Sequence, residues 1–140
     1  MPFREKSAWI CLICMFVVFI PYFIHVFRLS ALAELDADAI RRAIVAAIVF
    51  QTVLTIVAHI VIAVGTKRHT EDERDATIAS RSYRDAYFVL AVAVCGGVLP
   101  VMIWGPSISA LYVGQFLLLA FVVAEVAHYL GQIIRYRFGS

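Results

Sequence analysis

Apolar residues run along the chain in four long blocks, 8–27, 43–64, 86–104 and 110–130, separated by shorter polar stretches. Each block is close to the roughly 20 residues that a helix needs to cross about 30 Å of hydrocarbon. None contains Lys, Arg or Asp, and Glu125 is the single acidic residue within them. In lipid every backbone polar group must be satisfied internally, so blocks of this kind predict helices. The expectation is an all-α integral membrane four-helix bundle, up-down-up-down, forming one transmembrane domain over residues 1–140.

Composition narrows this further. The 140 residues are 63% hydrophobic and 16% charged, against about 25% charged in an ordinary globular chain. A soluble enzyme domain is excluded. The start of the chain has a second reading, since Arg4 and Lys6, an apolar run and then Ala31-Leu32-Ala33 also fit a cleaved secretory leader. The length of the run, Pro21 within it and Arg28 after it favour a retained first helix.

Basic residues set the expected orientation. Arg4, Lys6, Lys67, Arg68, Arg74, Arg81, Arg84, Arg135 and Arg137 flank one side of the blocks, against Arg28, Arg41 and Arg42 on the other. Cytoplasmic flanks carry the excess of Lys and Arg, so both termini and the middle loop are expected in the cytoplasm. The net charge of +2 is then a topology signal with some attraction to anionic lipid, and nucleic acid is not an expected partner. The lipid bilayer is; a homo-oligomer or a membrane-protein partner is compatible.

The middle loop, 65–85, is the most informative polar segment. Thr70 followed by Glu73 fits a capping box, and Glu71, Asp72, Glu73 and Asp75 crowd the first turn, where the helix dipole favours acids. With no Gly or Pro before the third block, the spacing predicts one unbroken helix from about residue 70 into the membrane, with Arg81 and Arg84 at headgroup level. Glu71, Asp72, Glu73, Arg74 and Asp75 are candidates for docking a partner, or the acids among them for pairing with Lys67, Arg68, Arg135 or Arg137, set against a plain solvated helix end. Outside, Glu34, Asp36 and Asp38 suggest a helix cap, Gly105-Pro106-Ser107 a tight turn, and Trp104 with Tyr112 an interfacial belt.

Asp72-Glu73-Arg74-Asp75, with Ile78, Arg81 and Tyr83 before an apolar helix and a closing Tyr136-Arg137-Phe138-Gly139, resembles small uncharacterised bacterial four-helix inner-membrane proteins. The resemblance covers the chain from Thr70 onward. It implies a bacterial inner-membrane setting and carries over no site.

Candidate chemistry lies inside the blocks. Glu125, His128, Gln132 and Arg135 form one helical stripe, beside small residues Ala120, Ala124, Ala127 and Gly131 that allow a neighbouring helix to come close. Thr52, Thr55 and His59 line a face of the second block; Cys11, Cys14 and His25 mark the first. At about 1.5 Å per residue, Cys14, His59 and His128 each fall roughly 9 Å inside the cytoplasmic end, with Glu125 about a turn deeper. Cys14, His59, Glu125 and His128 are therefore a candidate metal cluster, zinc above all, and His59 with His128 a candidate axial pair for haem. Glu125 is a candidate proton-coupling group. Against these stands a polar packing role with no cofactor, which the missing second Glu-x-x-His favours. Cys11-x-x-Cys14 has redox spacing but sits where buried free thiols are expected. Cys95, Gly96, Gly97 and Pro100 suggest a bend or close packing in the third helix.

No nucleophile, phosphate or nucleotide motif is present, so the expected role is a small non-enzymatic accessory or regulatory protein docking through its cytoplasmic loop. A small proton-coupled transporter, or a metal- or haem-binding protein using Glu125, His59 and His128, is the alternative.

Overall fold

The computed structural model describes residues 3–31, 36–65, 73–105 and 109–138. It is all-helical: α1 spans Phe3–Ala31, α2 Ala37–Gly65, α3 Glu73–Trp104 and α4 Ala110–Phe138. All four are long and apolar enough to cross a membrane. Each outruns its apolar block, because a helix ends where its backbone is capped and not where hydropathy falls. Asp36 caps α2, its carboxylate accepting from the Asp38 N–H at 3.0 Å. Ser109 does the same for α4, its hydroxyl accepting from the Leu111 N–H at 3.3 Å. Gly105 follows the last residue of α3 with φ at +62°, a left-handed conformation that glycine adopts without strain and that stops the helix.

The unbroken third helix expected from the sequence is present, running 32 residues through Pro100. Thr70, Glu71 and Asp72 lie outside the described residues, as do Leu32 to Glu34, Lys67, Arg68, Pro106 and Ser107. The capping box at Thr70 and the full turn after Gly105 are therefore not described.

The chain divides into two compact units, Met1–Thr70 and Glu71–Ser140. The first is the hairpin of α1 and α2, the second that of α3 and α4. In the first, Ala8, Cys11, Leu12, Met15, Phe19, Tyr22 and Val26 give α1 one buried face at spacings of three and four. By contrast α2 leaves a row of branched side chains exposed, including Ile56, Val57, Ile60 and Val61.

In the second hairpin the helices are antiparallel, and close approach is permitted by glycine. Phe116 of α4 lies over Gly97 of α3, where an added Cβ would fall 2.3 Å from its ring. Gly131 of α4 faces Ser82, whose hydroxyl would lie 3.4 Å from such a Cβ. Close packing at Gly97, anticipated from the Gly96-Gly97 pair, is thus the observed arrangement. Phe88, Val92, Leu99 and Met102 remain exposed on α3, an apolar surface on a helix long enough to cross a membrane.

Candidate functional site

The most polar part of the second hairpin is built where the start of α3 meets the end of α4. Asp75, Ile78, Ser82 and Asp85 recur at spacings of three, four and three, so they share one face of α3. Asp75, Ile78 and Ser82 are buried, and Ser82 is the most completely enclosed residue of the chain's described polar set. Opposite them, Arg135 donates to the Ser82 hydroxyl at 2.8 Å and to the Asp85 carboxylate. It also reaches the Gly131 carbonyl of its own helix at 3.5 Å. One turn nearer the end, the Tyr136 hydroxyl donates to Asp75 at 2.9 Å. A guanidinium and a phenol thus satisfy two carboxylates and a serine, so that burying them costs little.

Next along α4, His128 is buried and stacked on Tyr83, the ring centroids 4.0 Å apart. Its Nε2 pairs with the Gln132 amide at 2.9 Å. Its Nδ1 is buried and, among the described residues, has no hydrogen-bond partner, whichever nitrogen carries the proton. Tyr83 itself is largely exposed, so its ring forms the outer cover of a buried imidazole. Glu125, one turn away, is half-buried and makes no hydrogen bond or ion pair among the described residues.

The first hairpin holds the other histidine differently. His59 Nδ1 lies 2.8 Å from the Thr55 carbonyl, which can only accept, so Nδ1 is the donor. In the neutral ring Nε2 then accepts, from the Ser7 hydroxyl at 2.9 Å, with the Cys11 thiol at 3.8 Å. Both nitrogens are engaged, and a metal or haem iron at Nε2 would have to displace Ser7.

The stripe of Glu125, His128, Gln132 and Arg135 is therefore partly joined: His128 to Gln132, and Arg135 across to α3. Cys14 is buried, but the thiol that meets His59 is that of Cys11, one turn earlier. Both cysteines and Cys95 are free. His25 is exposed near the end of α1. Cys14 and His59 belong to one hairpin, Glu125 and His128 to the other. Among the described residues, no group of three or more His, Cys, Asp or Glu is arranged to hold a metal ion.

Of the docking candidates, Glu73 and Arg74 are exposed, whereas Asp75 is taken up by Tyr136 inside the hairpin. Ser7, Ser82, Asp85, the stacking of Tyr83 on His128 and the Asp75–Tyr136 pair are not singled out by sequence reasoning. A signal was there: Asp75, Ser82 and Asp85 repeat with the same period as Gln132 and Arg135, as two polar stripes that match each other. No protein-family model, curated protein or solved structure matches the chain.

Proposed function

We propose that this protein is a small non-enzymatic accessory or regulatory subunit of a bacterial inner membrane, docking a membrane partner through the segment that precedes and opens α3. In this reading the four helices cross the bilayer up-down-up-down as one bundle, with both termini and the 65–85 loop in the cytoplasm. The observation that carries it is the brace between α3 and α4. Arg135 and Tyr136 hold the charged first turns of α3 against α4, keeping a helix in place where a free end would fray. Glu73 and Arg74 stay exposed on it, and Glu71 and Asp72 precede them. A fixed charged helix end is a recognition element, since its ordering cost is met before any partner arrives.

The test is a photo-crosslinking residue at exposed position 76 in cells, with and without reversal of Glu71, Asp72 and Glu73 to Lys. A single membrane protein captured by the parent and lost on reversal supports docking. An unchanged capture pattern removes this segment from the interface. Asp75 is left intact, because reversing it would break the brace.

One observation favours a second reading, in which Glu125 and His128 of the second hairpin serve proton coupling or hold zinc or haem. The buried Nδ1 of His128 has no partner among the described residues, and such an atom calls for a proton, a water or an ion. Glu125→Gln should then abolish proton-coupled flux in a folded protein, or His128→Ala should remove stoichiometric iron or zinc from protein purified from its membrane. Unchanged flux together with metal-free parent protein would exclude it.

A further inference from the structure

We infer that Arg81 and Arg84, on the outer face of α3, form a binding site for the phosphate headgroup of an anionic phospholipid. The inference rests on the reading of the chain as membrane-spanning, and is independent of the docking role. It begins with how α3 sorts its charges. Arg74, Thr77, Arg81, Arg84 and Phe88 recur at spacings of three, four, three and four, and all are exposed. Asp75, Ser82 and Asp85 lie on the neighbouring face, turned toward α4 and engaged by Tyr136 and Arg135. The nearest carboxylate, Asp85, is bound by Arg135 of α4 while still feeling the charge of Arg84, and among the described residues neither Arg81 nor Arg84 forms a direct hydrogen bond or close ion pair. The acids at Glu73 and before it lie eight or more residues away, about 12 Å along the helix, beyond a Debye length of about 8 Å at physiological ionic strength.

The position points to lipid as the occupant. Directly beyond Arg84 the same stripe becomes Phe88, and the exposed surface continues as Val92 and Leu99. Tyr83 and Tyr87 are strongly exposed at the same level, where rings with one apolar and one polar end settle at a bilayer interface. Two guanidiniums three residues apart, at the polar edge of an apolar surface, match a lipid phosphate whose acyl chains run down the helix. Arg41 and Arg42 at the start of α2 are the internal contrast. Arg41 already pairs with Asp38 at 2.9 Å, and Arg42 lies 3.9 Å from Asp36.

The experiment reconstitutes the full chain into vesicles of phosphatidylcholine alone, or of equal parts phosphatidylcholine and phosphatidylglycerol. Native mass spectrometry then counts the phosphatidylglycerol retained on the released protein. The parent should keep it. The R81Q/R84Q variant should lose it about 25-fold, since each interfacial arginine contributes about a fivefold preference. R81K/R84K should keep most of it, and R41Q/R42Q should behave as the parent. Because all these side chains are exposed, circular dichroism should be unchanged. Equal retention by R81Q/R84Q and the parent overturns the inference, as does an equal loss in R41Q/R42Q. A protein that enters neither vesicle removes the membrane reading itself, and the inference with it. Loss of a crosslinked protein partner in R81Q/R84Q with lipid retention intact would assign the stripe to that partner instead.

Discussion

The two hairpins hold themselves together in different ways. In the first, His59 meets Ser7, Cys11 and its own Thr55 carbonyl beside the buried face of α1, with Glu5 also buried on that helix. The second carries a ladder: Asp75 to Tyr136, Ser82 and Asp85 to Arg135, and Tyr83 stacked on His128. Each histidine shows the contrast in small. His59 has both nitrogens engaged, whereas His128 is more deeply buried and leaves Nδ1 unpartnered. A helix pair closed by apolar packing has little to say about what lies beyond it. One closed by a charged ladder at its end fixes an ordered polar surface there, and that is the surface assigned here to docking and to lipid.

Breaking the ladder should cost most. Arg135→Ala strips Ser82 and Asp85 of their partner at once, and should destabilise the second hairpin by about 2 kcal/mol, a value held down by the partial exposure of the ion pair. Unfolding in detergent by a titrated denaturant would measure it. The two adjacent glycines of α3 sharpen the comparison. Gly97→Ala drives a methyl into the Phe116 ring and should cost about 1–3 kcal/mol. Gly96→Ala meets nothing within 4 Å and should be neutral or stabilising by up to about 1 kcal/mol. Equal effects at the two positions would deny the close approach at Gly97.

Smaller changes follow. Tyr136→Phe leaves buried Asp75 without the phenol and should cost about 1.5 kcal/mol by the same unfolding assay. Ser7→Ala, in the first hairpin, should cost about 0.6 kcal/mol, typical of one interhelical hydrogen bond in a membrane protein. If Ser7→Ala proved more damaging than Arg135→Ala, the contrast between hairpins would be reversed.

How far the sequence could be read follows from the same physics. Hydropathy located four helices because length and apolarity are properties of each segment taken separately. It stopped short at their ends, since α1 begins at Phe3, α2 at Ala37, and α4 continues to Phe138, and these limits are set by caps such as Asp36 and Ser109. The polar stripe of α4 was legible, because helical spacing alone puts His128, Gln132 and Arg135 on one face. Its partners were not, because which residue of α3 stands opposite depends on register. The same limit explains why depth along the bilayer suggested Cys14 beside His59 when the near thiol is Cys11, a single turn away. Asp75 read as a docking acid for a similar reason: its neighbours are exposed, and only the position of Tyr136 shows that it faces inward.

Hydrogen exchange read by mass spectrometry, on the full chain in a bilayer, bears most directly on the claim that α4 holds the start of α3 in place. The parent should exchange slowly over residues 73–85, and Arg135→Ala should lose that protection while residues 37–65 keep theirs. Fast exchange over 73–85 in the parent, or protection unaltered by Arg135→Ala, would contradict the account.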